Sequence, residues 1–199
     1  LGGSDPYKLA AAAQIATAYG YDEVNLNCGC PSHHVKSGGF GACLMANPAL
    51  VSDCLRALLD QVPVTVSAKL RLGIDDLYSY TYFRDFVGKL FDAGCRVFQI
   101  HARKAVLSGL SPADNRKIPP LNYAWVYRIK RDFPSAVIIL NGGIEKPGSA
   151  AEHLKHVDGI MIGRLAYADP YEVSLYQRAL FSPNLTVPSR IEIVRRYLP

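Results

Sequence analysis

What most limits the folds open to this chain is one repeated hand-over: a short apolar run ends in a polar or glycine-bearing turn, and an amphipathic stretch follows. It occurs at Val24–Asn27 before Cys28-Gly29-Cys30-Pro31, at Val64–Lys69 before Arg71, and at Val97–Ile100 before His101-Ala102-Arg103. It recurs at Val137–Leu140 before Asn141-Gly142-Gly143 and at Gly159–Ile162 before Gly163-Arg164. Near-continuous apolar strands alternating with helices imply a parallel sheet covered by helices. The sheet can be open and doubly wound or closed into a barrel. A doubly wound sheet gathers its ligands at one switch point, whereas a barrel takes chemical groups from the C-terminal ends of many strands. Here every strand ends in such a group, so the predicted fold is α/β, a partial (β/α)8 TIM barrel.

Helix signals fill the gaps. Ser4-Asp5-Pro6 reads as a capped helix start before the run Leu9 to Ala18. Val51, Cys54, Leu55, Leu58 and Leu59 form one stripe of a helix starting near Pro48. Phe83, Phe86, Val87, Leu90 and Phe91 form another, closed by Gly94 as a C-cap residue. Val126, Ile129 and Phe133 mark a third helix, and Ala150 with Leu154 a fourth. Leu1-Gly2-Gly3 resembles the end of an earlier strand, and Ser37-Gly38-Gly39-Phe40-Gly41 reads as a loop. No apolar run is long enough to cross a bilayer, so no membrane partner is expected. The five cysteines are an odd number without framework spacing, which argues against disulfides and for a reducing compartment. A net charge of +5 permits a polyanionic partner without requiring one.

Strand residues alternate sides, which puts Asn25 and Asn27 on one face and Val24 and Leu26 on the other. Inward amides beside a Gly-Cys-Pro turn make Asn27 and Cys30 the first functional candidates. The bland reading of Cys30 is a small buried hydrophobe. Lys69, a lysine inside a strand, calls for an anionic partner: a ligand, or the other half of a structural ion pair. Asn141-Gly142-Gly143 and Gly163-Arg164, on successive strands, suit a phosphate approached by bare backbone amides and a helix N-terminus, although either alone could be a plain turn. Cys28, Cys30, His33 and His34 could be taken as a zinc cluster, but the one-residue gap and the lack of a second Cys pair argue against it, and no metal is expected.

Several stretches carry a resemblance in order along nearly the whole chain. Asn25-Leu26-Asn27-Cys28-Gly29-Cys30-Pro31-Ser32, Gly41-Ala42-Cys43-Leu44-Met45, Lys69-Leu70-Arg71-Leu72-Gly73, Ile100-His101-Ala102-Arg103 and Asn141-Gly142-Gly143-Ile144 resemble the tRNA-dihydrouridine synthase family. Residues 103–112 and Asn115-Arg116-Lys117-Ile118-Pro119-Pro120-Leu121 resemble its bacterial DusA branch. The resemblance implies an FMN-bearing barrel followed by a small helical domain, in which a D-loop uridine of tRNA, at the 20/20a pair in this branch, is reduced with NADPH. On that comparison residues 1–182 correspond to about strands 3–8 of the barrel, and 183–199 to a linker and the start of the helical tRNA-binding domain.

Carried over motif by motif, Cys30 resembles the proton donor. Lys69 and His101 resemble FMN contacts, and Asn141, Gly142, Gly143, Gly163 and Arg164 the phosphate and ribityl site. Asn27 is similar to the amide that meets the base. Ala113, Asp114 and Arg116 lie in the loop set against tRNA, with Arg71 and Arg103 as further substrate-side cations, and Lys36, Lys104, Lys117, Arg128, Lys130 and Arg131 available for the RNA backbone. The implied chemistry adds a hydride to uracil C6 and a thiol proton to C5. The rival readings are a non-catalytic tRNA-binding barrel and a flavin oxidoreductase acting on free pyrimidines. A cytoplasmic or organellar monomer is the expectation for the full-length protein.

Overall fold

The computed structural model describes residues 1–32 and 37–198. His33, His34 and Lys36, which enter the zinc and RNA readings, lie outside the described residues. Helix α1 (Pro6–Ala18) begins where the Asp5 side chain accepts the amides of Tyr7 and Lys8 at 3.0 and 3.1 Å. Strand β1 (Glu23–Asn27) follows, then a 3-10 turn (Gly41–Ala46) and α2 (Pro48–Gln61), capped by Asn47. The next units are β2 (Thr65–Leu70) with α3 (Tyr80–Asp92), and β3 (Val97–His101) with α4 (Tyr123–Asp132). Then come β4 (Val137–Asn141) with α5 (Pro147–Leu154) and β5 (Gly159–Met161) with α6 (Arg164–Ala168). Gly94, with φ +106°, closes α3 in the conformation that favours glycine.

Among the described residues the strands form one parallel sheet in the order β1-β2-β3-β4-β5. Each strand pairs with its successor, with Val24 opposite Val66, Ala68 opposite Phe98, and Phe98 opposite Ile138. Consecutive parallel pairing with a helix after each strand is the winding of a (β/α)8 barrel, not of a doubly wound sheet, whose order reverses. The ladder also continues beyond β1, where the amino group of Leu1 donates to Asn25 O at 2.6 Å and the Asn27 amide donates to Leu1 O at 2.9 Å. Leu1-Gly2-Gly3 nonetheless belong to no strand.

The two faces of the sheet are chemically opposite. Val24, Leu26, Val66, Ala68, Leu70, Phe98, Ile100, Ile138 and Leu140 are buried outward beneath the helices, against Leu58, Phe83, Phe86, Val126 and Ile129. The other face is polar and carries Glu23, Asn25, Asn27, Ser67, Lys69, Gln99, His101 and Asn141. A lower layer closes on itself. Asn25 Nδ2 donates to Ser67 Oγ (2.7 Å) and Gln99 Oε1 (3.0 Å), Gln99 Nε2 donates to Glu23 Oε1 (3.0 Å), and Ser67 Oγ also donates to Glu23. Asn25 therefore works inside the sheet, beneath the pocket.

Three details differ from the sequence reading. Beyond the 37–41 loop, Gly41–Ala46 form a 3-10 turn, because Ala42, Leu44 and Met45 pack into the core and Ala42 donates to Cys30 O at 2.9 Å. Strand β5 ends at Met161, one residue short, and on α5 the buried partner of Ala150 is His153, with Leu154 only half-buried. Helices α6, α7 (Tyr171–Leu180) and α8 (Arg190–Tyr197) follow β5. No residue of α8 is buried, and Ser189 with Glu192 caps it in a reciprocal box.

Candidate functional site

The turn after β1 is held from several sides. Asn27 Oδ1 accepts the amides of both Gly29 and Cys30 at 3.1 Å, and the Cys28 amide donates to Lys69 O at 2.9 Å. A Cβ on Gly29 would lie 3.2 Å from Lys69 O, a tight contact that glycine avoids where the turn presses against β2. The Cys30 Sγ lies 3.5 Å from Ser32 Oγ, and the residue is half-buried. Cys28, Cys54 and Cys95 are buried; burial pushes the Cys28 thiol up and those of Cys54 and Cys95 up to about 11. The half-buried thiols are Cys30 and Cys43, and Cys43 donates to Phe40 O at 2.9 Å. This separates Cys30 from a core cysteine.

Asn27 is the first sequence candidate whose placement narrows its role. Its oxygen is committed to the turn, which leaves Nδ2, a donor, as the atom it can offer a ligand carbonyl.

Lys69 stands beside Asn27 in the register and donates to Asn141 Oδ1 at 2.9 Å, while Asn141 Nδ2 donates to Met161 O at 2.8 Å. The structural ion pair is not found: the ion pairs of the described residues all lie elsewhere, and no protein carboxylate pairs with Lys69 among them. Burial, aided by Arg71, lowers the Lys69 ammonium to about 8. His101 is pushed down to about 2 by burial, then by Arg71, Lys69, Arg103 and Arg164, so it is a neutral imidazole at physiological pH. Its Nδ1 is buried without a partner, as are Nε and Nη1 of Arg103. Cations with orphaned donors and no ion pair among the described residues suit an anion, although Glu145 also lines the adjoining cavity.

The glycine turns open onto the same region. Gly142 (φ +108°) and Gly143 (φ +70°) bend the chain after β4; a Cβ on Gly142 would meet the His101 ring at 3.2 Å, and one on Gly143 would strike Leu121 at 2.5 Å and Tyr123 Oη at 2.7 Å. Asn141, Gly142 and Gly143 join Gly163, Arg164, His101 and Arg116 around a cavity of about 540 Å³. Glycine there leaves room against the backbone amides. The helix after Gly163 spans only Arg164–Ala168, so the helix-dipole contribution read from the sequence is small and Arg164 is the stronger source of positive charge.

The substrate-side cations divide. Arg116 is exposed on the rim of the cavity, with Ala113 exposed and Asp114 half-buried beside it in the 3-10 turn Asp114–Arg116. Arg71 and Arg103, expected to meet RNA, do not face solvent: they are 4% and 8% exposed. Arg71 donates from Nε to Gly29 O (3.2 Å) and from Nη1 to Lys104 O (3.3 Å) and Asn115 O (2.9 Å), a correction that follows from its place one residue past the end of β2.

Sequence reasoning also missed a support behind the glycine loop. Tyr123 Oη donates to Gly142 O at 2.9 Å, its ring lies 4.4 Å from that of buried His153, and His153 Nδ1 is 2.7 Å from Tyr127 Oη. The signal was there, since Tyr123 and Tyr127 are four residues apart and share a helix face. Among the described residues no group of His, Cys, Asp and Glu could hold a metal ion.

Comparisons with known proteins follow this geometry. The family model described as dihydrouridine synthase matches residues 1–199. Relatives called tRNA-dihydrouridine(20/20a) synthase are 50% identical in Salmonella typhi, 51% in Pasteurella multocida and 50% in Synechocystis, each over all of this chain. The chain covers 60%, 61% and 60% of those proteins. A dihydrodipicolinate synthase from Agrobacterium tumefaciens superposes with a TM-score of 0.57 at 11% identity, over 92% of this chain and 55% of that one, a likeness of fold alone.

Proposed function

The chain belongs to the dihydrouridine synthase family, and we propose that it is the catalytic part of a flavin-dependent enzyme that reduces a D-loop uridine of tRNA, at positions 20 and 20a as its relatives' names state. One observation carries the reading. A half-buried thiol on a braced turn after β1 shares the strand-end side of the sheet with a glycine-lined cavity at β3–β5, whose Arg116 and Arg164 make no ion pair among the described residues.

The residues present fit FMN. Gly142, Gly143, Gly163 and Arg164 would hold its phosphate, with Lys69, His101 and Asn141 against the rest of the cofactor. Bound there and reduced by NADPH, the flavin supplies the hydride that uracil C6 receives. Lys69 regains a counter-charge from an electron-rich ligand, which removes the cost that keeps its ammonium near 8. Neutral His101 can donate a hydrogen bond without adding a further charge to the cluster.

Cys30 gives its proton to C5. The S–H bond breaks, a C5–H bond forms, and the sulfur keeps the electron pair as a thiolate. Positioned acid catalysis of this kind is worth roughly 10²–10⁴-fold. The uridine is stacked within folded tRNA, so it must be turned out to reach the thiol. Asn27 Nδ2 is placed to donate to a uracil carbonyl, and Arg116 on the rim to meet the nucleotide. Residues 1–182 are read as the flavin-bearing barrel and 183–199 as the lead into a helical tRNA-binding domain, supported by the wholly exposed α8.

Mapping dihydrouridine in tRNA from cells lacking the protein tests the reading. Loss confined to positions 20 and 20a is expected. An unchanged map refutes it, and loss at another D-loop site refutes the assigned position.

A further inference from the structure

The Arg71 guanidinium is spent on three carbonyls in two separate segments. Nε takes Gly29 O at 3.2 Å, the residue before the thiol. Nη1 takes Lys104 O at 3.3 Å and Asn115 O at 2.9 Å, in the segment that carries Ala113, Asp114 and Arg116. The Asn115 end is itself rigid. Asn115 is fully buried; its Oδ1 accepts the Val106 amide at 2.7 Å, and its Nδ2 donates to Val106 O at 2.9 Å and Ser111 O at 3.2 Å. Backbone pairing ties the same segment to the stretch just past β2: Leu72 donates to Arg103 O, Ala105 to Gly73 O, and Asp75 to Ala105 O.

A buried arginine costs folding free energy unless its charge is used. No carboxylate pairs with Arg71 among the described residues. Burial, then Arg103 and Arg116, lower its pKa to about 10, and its Nε hydrogen bond to Gly29 O holds the charge beside the turn that carries the thiol.

We propose that Arg71 is a positioning residue with two effects on the thiol step: its fork holds the Cys30 turn in register with the 104–116 segment, and its charge stabilises the thiolate that remains when Cys30 has given up its proton. This rests on the function proposed above. The proton leaves sulfur for C5, the electron pair stays on sulfur, and Arg71 supplies the counter-charge without meeting substrate. Between turns, the brace means that an RNA seated on the 104–116 segment meets the thiol at a fixed distance.

The test is the pH dependence of tRNA-driven reoxidation of the reduced flavin-loaded protein, by rapid mixing, in wild type, Arg71→Met and Arg71→Lys. Flavin absorbance at the start reports folding and loading. In Arg71→Met the thiolate loses its counter-charge, and the alkaline limb moves to higher pH while the rate falls roughly tenfold or more. Arg71→Lys keeps the cation and loses the fork, so the limb stays within a few tenths of wild type while the rate still falls several-fold. If Arg71→Met does not load flavin, Arg71→Lys carries the test alone, and an undiminished rate there overturns the proposal. An unmoved limb in Arg71→Met with a normal rate overturns it as well. Wild-type protein whose flavin tRNA does not reoxidise at any pH overturns the proposed function instead, and this inference with it.

Discussion

Lys69→Met is expected to stabilise the flavin-free protein while weakening its hold on flavin. Lowering an ammonium from its ordinary 10.5 to about 8 corresponds to roughly 3 kcal/mol against the charged form, at about 1.36 kcal/mol per tenfold change. Between those two pH values the unfolded chain holds a proton that the folded one has released, so stability rises with pH across this window and the cost is fully present below about 8. Methionine has a similar length and no charge. It leaves Asn141 Oδ1 without the donor it has at 2.9 Å, a loss of about 1 kcal/mol. The net gain for Lys69→Met at pH 7 is therefore about 1–2 kcal/mol, shrinking to nothing or reversing by about pH 10. Urea unfolding of both apo proteins at pH 7 and pH 10 measures it, and the difference between the two cancels tyrosines that titrate in the same range. Flavin titration should show binding roughly tenfold to a hundredfold weaker, the worth of one charge-assisted hydrogen bond. If Lys69→Met were less stable than wild type at pH 7, or the gap did not change with pH, the lysine would not be a cation held ready for an anion.

Cys30→Ala should leave flavin content near normal and slow tRNA-driven reoxidation roughly 10²–10⁴-fold, whereas Cys43→Ala, whose thiol faces Phe40 O, should not; the opposite result would make Cys43 the donor. Arg164→Ala should weaken FMN but not riboflavin, measured by flavin fluorescence, because only the first has the phosphate. Gly143→Ala forces a Cβ to within 2.5 Å of Leu121 and imposes a φ of +70°, so a loss of at least about 1 kcal/mol in unfolding free energy should accompany loss of flavin.

The strands and their chemical ends were readable because each is an apolar run closed by a residue that apolar runs do not contain. His101, Asn141 and the glycine pair needed nothing more. What sequence could not give is the direction of a guanidinium. Arg71 and Arg103 look like Arg116 on paper, yet two of the three are buried, because their positions just past β2 and β3 turn them toward backbone carbonyls and neighbouring cations. The lower polar layer was missed for another reason. Ser67 and Gln99 sit two residues before Lys69 and His101, so period-two spacing assigns them to the same face, but reading the strands as uniformly apolar hid them. Helix α7 went unseen because its one buried residue is Tyr176, which leaves no apolar stripe to detect.

The two storeys of the inner face suggest why the site can hold its charges. Below, Glu23, Asn25, Ser67 and Gln99 bond to one another, Asn25 donating twice and Gln99 both giving and taking a hydrogen bond. Above, Lys69, His101 and Arg103 are short of partners, and the deficit lies one strand pitch further along the same strands. A frustrated layer resting on another frustrated layer could relax by rotating side chains downward to find acceptors. Resting on a network in which Ser67 Oγ, Gln99 Oε1 and Glu23 Oε1 already accept hydrogen bonds, it finds fewer acceptors beneath. The cations therefore remain aimed at the strand ends, where the thiol turn and the glycine loops stand, and the proposed flavin phosphate is the anion that would complete them.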